Sequence, residues 1–276
     1  MVEYPAGVGE TTLAQAGSGP WLVQQRYRLL SLVTVIVVLG TRFLLTNTGV
    51  ISTKVLPSPQ DILAEVQSLV SKGYTGKSIF LHFRASLLRV LIGLSAALVV
   101  GICIGLVMGY SRTVAAILTP VVSFVRPMPA ISFVPLVVLY FGIGELSKVM
   151  VIFFTSTLYM ILSASAGVKS VPEELIRAAL NLGVTRRQLF LHVILPASAP
   201  HVMTGVKMAT AVSWALVVAA ELVAAQEGLG YIVMDAATFF RLPDVYIAIS
   251  LIGLVGLCLE VAETTIENRL LHWRAK

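Results

Sequence analysis

Long apolar runs, separated by short polar segments, are the main feature of this chain. A helix needs about 20 apolar residues to cross a membrane, and six runs approach that length: residues 29–45, 87–110, 113–142, 146–168, 205–225 and 245–266. Between the first two, residues 57–70 place their apolar side chains on one side of a helix, which predicts an amphipathic helix on the outer membrane surface. The pattern therefore predicts an all-α protein with about six membrane spans.

The composition excludes a water-soluble domain. Of the 276 residues, 57% are hydrophobic and only 12% are charged, whereas soluble domains carry about 25% charged residues. The net charge of +6 is not arranged as a basic stripe with interleaved aromatic side chains, so nucleic-acid binding is not predicted. Cys103 and Cys258 both lie inside apolar runs, which indicates small buried hydrophobic residues and neither a disulfide nor a metal site.

Basic residues set the expected orientation of the chain. Lys and Arg are more frequent in the polar segments on the same side of the membrane as the N-terminus than in those on the other side. Cytoplasmic segments of membrane proteins are enriched in these residues. We therefore expect cytoplasmic tails at residues 1–28 and 269–276, on either side of a membrane domain at residues 29–268. The polar segment between the fourth and fifth spans then also lies in the cytoplasm.

The third predicted span contains three prolines, Pro127, Pro129 and Pro135. Each proline removes a backbone donor and opens the helical hydrogen-bond ladder. Free backbone polar groups at membrane depth are tolerated only against protein or a water-filled cavity. This segment is therefore expected to line a passage and not to face lipid.

Of the charged residues inside the predicted spans, two are the sharper functional candidates, Arg126 beside those prolines and Glu221 in the fifth span. Counting inward from the cytoplasmic ends at 1.5 Å per residue places both roughly 20 Å deep. Because a charge inside the membrane is costly and is usually paired or functional, we expect an Arg126–Glu221 ion pair in the passage wall. Arg126 would also attract an anionic solute, although a purely structural pair remains an alternative.

The second predicted span carries glycine at every fourth position, at Gly101, Gly105 and Gly109. Small residues at this spacing let another helix approach closely in a membrane. The stripe therefore predicts a tight helix–helix contact.

Residues 169–196 form the longest polar interruption in the C-terminal half. Ser170 with Glu173, and Thr185 with Gln188, have the spacing of two helix capping boxes. Gly183 is typical of a helix C-terminus, and Pro196 is expected to end or kink the second helix. The segment therefore predicts two short helices joined at a glycine.

The same segment resembles the EAA loop of bacterial ABC-importer permeases. The positions that match the loop are Ala178, Ala179, Gly183, Leu195 and Pro196, while Arg177 replaces the first Glu and Val193 replaces an Ile. Similarity continues in residues 126–145 and 217–230 and extends over roughly residues 55–270. These segments look like the taurine, aliphatic sulfonate, nitrate and bicarbonate branch of that family.

The resemblance implies a type I importer (MetI-like) fold and a multi-pass permease of the bacterial inner membrane. Such a permease works as a homodimer with separate ABC ATPase subunits, which bind ATP and magnesium, and with an extracytoplasmic solute-binding protein. Residues 171–190 would dock on the ATPase and couple its movement to the spans. The residues expected to do this are Leu175, Arg177, Ala178, Ala179, Leu182, Gly183, Arg186, Arg187, Leu189, Leu195 and Pro196.

Other functional classes are less consistent with the residues. A stand-alone secondary transporter or channel lacks evident inverted repeats here, and no catalytic grouping or metal-ligand spacing suggests a membrane enzyme. Gly76-Lys77-Ser78 ends like a phosphate-binding loop, but Ser71 stands where the first glycine is needed and no strand precedes it. No cofactor is therefore expected in this chain itself, and an ATPase would be a separate subunit.

Overall fold

The computed structural model describes residues 57–271 and scattered positions between residues 30 and 46. The chain separates into two compact units, Met1–Pro59 and Gln60–Lys276. In the first unit, the described positions from Leu30 to Thr46 are helical. The predicted span at residues 29–45 and both predicted tails lie largely outside the described residues.

The second unit is all-α, as predicted, and no strand occurs among the residues described in it. The α-helices are α1 (Pro59–Lys72), α2 (Ile79–Tyr110), α3 (Arg112–Val125), α4 (Phe133–Phe141), α5 (Glu145–Lys169), α6 (Glu173–Asn181), α7 (Arg186–Leu189), α8 (Leu195–Ala224), α9 (Leu229–Thr238) and α10 (Leu242–Leu270). A 3₁₀ turn, Ala130–Ser132, precedes α4, and a π-helical turn, Phe190–Ile194, joins α7 to α8.

Within the described part of the chain, four helical runs are long and apolar enough to cross a membrane: α2, α5, Arg186–Val223 and α10. Helix α3 and residues Ala130–Phe141 form a fifth candidate span, bent by 86° where its halves meet. The predicted break in this span is confirmed at Pro127 and Pro129. Pro135 causes no break, because it lies in the first turn of α4, where a missing N–H costs little.

The helix that follows the polar segment is longer than predicted, because Pro196 does not end it. The backbone N–H of Leu195 donates to the carbonyl of Phe190, five residues earlier, and the helical run continues from Arg186 to Val223. Proline lacks an N–H and its ring conflicts with the carbonyl four residues before it. A wider π turn immediately before Pro196 accommodates both effects.

The glycine stripe of α2 lies against α5. A Cβ atom added at each of the three glycines would come within 2.6–2.7 Å of a Cβ atom of α5, as shown by the pairs Gly101–Met160, Gly105–Ala164 and Gly109–Val168. Only glycine allows backbones to approach this closely. Because the contacts follow the same order along both helices, α2 and α5 run parallel.

The residues between the fifth and sixth predicted spans, 226–244, are not a simple polar connection, because they contain α9. Leu229, Ile232 and Ala236 of α9 are fully buried and pack in the main apolar core. Their spacing of three and four residues gives this helix an apolar face. The connection between α8 and α10 is therefore a packed part of the bundle.

Candidate functional site

A group of buried charges joins three helices at one end of the bundle. Arg89 of α2 is almost completely buried, and its Nη1 donates to Oε1 of the buried Glu221 of α8 at 2.5 Å. Nε and Nη2 of the same guanidinium donate to the two carboxylate oxygens of Glu145, the first residue of α5, at 2.5 and 2.8 Å. One arginine thus connects α2, α5 and α8.

The charges in this cluster balance. Lys148, also buried, donates from Nζ to Oε1 of Glu145 at 2.8 Å, so two cations face two carboxylates. Only Glu145 is largely exposed, at the open end of the cluster. Buried ions persist in proteins when they are paired and hydrogen-bonded, and this cluster meets both conditions.

Glu221, Ser86 and His82 each supply an acceptor for the start of α9. The N–H of Gly230 donates to Oε2 of Glu221 at 2.9 Å, the N–H of Leu229 donates to Oγ of Ser86 at 2.9 Å, and the N–H of Gly228 donates to Nδ1 of His82 at 3.2 Å. The first N–H groups of a helix have no partner within the helix. Side chains of α2 and α8 therefore cap α9.

Gly228 makes this arrangement possible. Its φ of +133° is strained for residues with a side chain, and an added Cβ would collide with the Glu221 carboxylate. The hydroxyl of Ser86 completes the site by donating to that carboxylate, with oxygen–oxygen distances of 2.8 and 2.9 Å.

The predicted Arg126–Glu221 ion pair is wrong. Glu221 is bound by Arg89, Ser86 and Gly230, whereas Arg126 lies at the end of α3 and is exposed. Sequence reasoning missed Arg89 because α2 begins at Ile79 and not at residue 87, which moves Arg89 from the edge of the span to well inside the helix.

A signal for this cluster was present in the sequence. His82, Ser86, Arg89 and Gly93 recur at spacings of four, three and four residues, which places them on one face of a helix. All four are buried in the structure. Polar residues on the same face as the glycine stripe therefore indicate a polar helix contact at the start of α2.

A second polar network fixes the nearby turn between α9 and α10. The hydroxyl of Tyr74 donates to Oδ2 of Asp235 at 2.7 Å, and the guanidinium of Arg241 lies 4.9 Å from the centre of the Tyr74 ring. Burial, together with the hydrogen bond to Asp235, raises the pKa of Tyr74, so its phenol stays protonated and remains a donor. Arg241 also pairs with Asp244 at 2.7 Å.

Arg126 faces a different feature, a cavity of about 400 Å³ between the broken span and α5. It is the one charged residue that lines this cavity, whose remaining wall is apolar except for Thr155, Tyr140 and Tyr159. In the described part of the chain, Arg126 forms no ion pair. Pro127, Pro129 and Pro135 are exposed but lie outside the cavity lining.

The segment 171–190 lies at the end of α5 and α2 that is far from Arg89. The ring of Phe190 contacts that of Tyr110, the last residue of α2, with 5.1 Å between centroids. Arg89 and Tyr110 are 21 positions apart, which corresponds to roughly 30 Å along a helix. The buried charge cluster and the polar segment are therefore at opposite ends of the bundle.

The turn within this segment forms as predicted at Gly183, whose φ is +78°. The Thr185–Gln188 capping box is confirmed, with the N–H of Thr185 donating to Oε1 of Gln188 at 2.8 Å and the N–H of Gln188 donating to Oγ1 of Thr185 at 3.3 Å. The Ser170–Glu173 box is wrong. Ser170 terminates α5 and its hydroxyl donates backward to the carbonyl of Gly167.

The predicted coupling residues differ in burial. Ala179 and Leu189 are buried in an apolar cluster that also contains Val168 of α5 and Ile194. The exposed group consists of Leu175, Arg177, Ala178, Leu182, Gly183, Arg186, Arg187 and Pro196, and Leu195 is half-buried. Leu182 is 84% exposed, so the segment presents an apolar side chain, with arginines nearby in sequence, beyond the bundle.

Comparison with known proteins places these features in a family context. Residues 79–272 match the family described as "Binding-protein-dependent transport system inner membrane component". The chain is 37% identical over 248 residues to the taurine transport system permease protein TauC of Escherichia coli (strain K12), covering 90% of each protein. It is 30% identical over 210 residues to the nitrate import permease protein NrtB of Synechocystis sp., covering 74% of this chain and 76% of that one.

A solved structure shares the fold. A chain in the structure described as inward facing conformations of the MetNI methionine ABC transporter superposes with a TM-score of 0.60 at 16% identity, covering 68% of this chain and 95% of that chain. The second unit therefore has the type I importer (MetI-like) membrane fold.

Proposed function

Because the chain belongs to the family of binding-protein-dependent transport system inner membrane components, we propose that it is the permease subunit of an ATP-driven importer for a small oxyanion. It spans the bacterial inner membrane with both termini in the cytoplasm and forms a homodimer. Two separate ABC ATPase subunits bind and hydrolyse ATP with magnesium, and an extracytoplasmic solute-binding protein delivers the solute. Transport proceeds by alternating access.

The observation that carries this proposal is the exposed two-helix segment at residues 171–190. Its apolar side chains Leu175 and Leu182 point away from the chain's own core, which is costly unless a partner covers them. Arg177, Arg186 and Arg187 add positive charge that suits acidic residues on that partner. An ATPase groove is the surface that these features fit.

Packing contacts connect this segment directly to the membrane spans. Ala179 and Leu189 are buried in the same cluster as Val168 and Ile194, so the exposed helices cannot shift without moving α5 and the start of α8. The backbone contact along the glycine stripe then carries the motion to α2. Close packing transmits displacement because well-packed interiors are hardly compressible.

The oxyanion class rests on the relatives and on Arg126. TauC is named for taurine and NrtB for nitrate, and sulfonate and nitrate groups are both anionic. Arg126 supplies a positive charge at the break of the third span, beside a cavity of about 400 Å³. We place Arg126 and the prolines around it in the solute pathway, whereas Glu221 holds the pathway wall in position through Arg89.

Co-purification tests the assembly. The tagged chain, expressed together with an ATPase subunit and a solute-binding protein encoded beside it, is expected to retain the ATPase through detergent extraction. In proteoliposomes, solute-loaded binding protein should then raise the rate of ATP hydrolysis. Solute uptake by the purified chain without any ATPase would instead establish a secondary transporter or channel.

Replacing Arg126 tests the pathway. Arg126→Gln is expected to lower the rate of anion uptake by about tenfold or more, because a charge-assisted hydrogen bond contributes roughly 1.5–3 kcal/mol. Arg126→Lys should retain most of the rate. Uptake of the radiolabelled anion into proteoliposomes, normalised to the amount of assembled transporter, measures the effect.

The matched control for this test is Arg84→Gln. Arg84 is also an exposed arginine of a membrane span, but it lies outside the cavity lining. Uptake by this variant should remain unchanged. Equal rates for Arg126→Gln and the unaltered protein would remove Arg126 from the pathway.

A further inference from the structure

Helix α1 carries more apolar surface than the described residues cover. Leu69 is buried against the main core, yet Leu63, Val66 and Val70 are 64%, 37% and 73% exposed. Their spacing of three and four residues places these three side chains in one stripe beside Leu69. The opposite side of α1 is polar, with Asp61, Ser68 and Lys72 among its residues. We refer to Leu63, Val66 and Val70 as the α1 stripe.

A groove of about 300 Å³ runs beside the α1 stripe. Its walls come from α1, from the start of α2, from Leu229 of α9, and from Ile247 and Leu251 of α10, and all of the lining side chains are apolar. Phe80, at the start of α2, is 66% exposed at its edge. A groove without polar side chains offers no hydrogen-bonding partner to a polar solute, so its occupant is expected to be hydrocarbon.

The groove continues onto a face of a membrane span. Ile247 and Leu251 lie on the same face of α10 as Leu254 and Val261, as their spacing shows, and the last two are each 57% exposed. Of the four long spans in the described part of the chain, α10 has the lowest buried share, 11% of its apolar window. An exposed apolar face on a spanning helix lies in the hydrocarbon of the bilayer.

The position of α1 is fixed relative to this face. Leu69 anchors the helix in the core, and Oε1 of Glu65 lies 3.8 Å from Nη2 of Arg241, just before α10. These two contacts hold the helix so that the stripe borders the groove. The polar side of α1 is then directed toward the lipid headgroups or water, as in an interfacial amphipathic helix.

We propose that α1 lies in the membrane interface with its stripe inserted, and that phospholipid acyl chains fill the groove between α1, α2 and α10. The leaflet concerned is the one opposite the segment 171–190. This inference depends on the membrane spans and not on the solute or the ATPase, so failure of either transport proposal would leave it standing.

A nitroxide spin label at Val70 tests the proposal in the full-length chain. The label is attached to Val70→Cys in a Cys103→Ser, Cys258→Ser background, in phospholipid nanodiscs. Collision rates with oxygen, which concentrates in hydrocarbon, and with a water-soluble nickel chelate are measured by electron paramagnetic resonance. Because the stripe is inserted, we expect a several-fold higher oxygen-to-nickel ratio at Val70 than at a control position.

Ser71→Cys is the matched control, since Ser71 is adjacent in sequence and also exposed but lies about 100° further around the helix. It should be reached mainly by the nickel chelate. A Val70 label reached mainly by nickel would show that the stripe faces water. Low collision rates with both reagents would show that a second copy or another protein covers it, and either result overturns the proposal.

A second measurement addresses the groove itself. Val66→Trp places a large side chain at the groove wall, and we expect fewer phospholipids per chain to survive detergent washing than in the unaltered protein. Ala64→Trp, on the polar side of α1, should retain the unaltered number. Equal lipid retention by both variants would remove the acyl chains from the groove.

Discussion

Replacing Glu221 with alanine is expected to destabilise the folded chain by roughly 3–5 kcal/mol, the usual cost of removing one member of a buried ion pair. The variant leaves Arg89 with one carboxylate in place of two and removes the acceptor for the N–H of Gly230. Two consequences are measurable in nanodiscs: a lower unfolding temperature, and loss of solute uptake as α9 detaches from α2 and α8.

A comparison of two pairings makes this test specific. In a double-mutant cycle, Arg89→Ala and Glu221→Ala should show a large coupling energy, because the two side chains touch. Arg126→Ala and Glu221→Ala should be additive within about 0.5 kcal/mol, as expected of residues without shared partners. Strong coupling between Arg126 and Glu221 would contradict the arrangement described here, and so would a Glu221→Ala variant as stable as the unaltered protein.

The difference between the predicted and the observed partner of Glu221 shows that hydropathy predicts the depth of a residue in the membrane but not the rotation of its helix. Apolar runs place Arg126 and Glu221 at similar depths along the membrane normal, but depth does not specify the direction in which a side chain points. Helix rotation decides the partner, and here it directs Arg89 of α2 toward Glu221. The spacing of His82, Ser86 and Arg89 places them on one face of α2, and this face indicated which side of the helix is turned toward Glu221.

Local features that depend on one helical turn could be predicted from the sequence more accurately. Thr185 with Gln188 and the positive φ of Gly183 depend only on neighbours a few residues away, and both formed as predicted. The Ser170 box failed because Ser170 already belongs to the end of α5. A residue between two helices can belong to either one. Tertiary packing decides between them, and a local sequence pattern does not contain that information.

Helix α9 depends on more distant parts of the chain. Helix α9 has only ten residues, and helices this short are marginal in isolation. It persists because His82, Ser86 and Glu221 cap its start. These acceptors come from α2 and α8, so residues 226–244 alone appear polar and loop-like.

Gly183→Asp is expected to abolish the stimulation of ATP hydrolysis by solute-loaded binding protein while leaving the chain in the membrane. Gly183 is exposed and an added Cβ would meet no atom within 4 Å, so the fold bears only the backbone strain at φ +78°. That strain costs on the order of 1 kcal/mol, and Asp tolerates the left-handed region better than most residues. The added carboxylate lies next to Leu182, within the proposed ATPase contact.

Gly142→Asp is the control that separates the effect of backbone strain from the effect of losing the proposed ATPase contact. Gly142 is exposed, has a φ of +77° and likewise has no atom within 4 Å of an added Cβ, but it lies in the turn before α5, at the other end of that helix. Gly142 also has a ψ of 173°, a conformation essentially limited to glycine, so Gly142→Asp should show the larger drop in unfolding temperature. Even so, only Gly183→Asp should lose stimulated ATP hydrolysis and co-purification of the ATPase. Normal stimulation in Gly183→Asp would show that the segment 171–190 does not transmit ATP-driven movement, since a charge placed at its apex must disturb any close contact there.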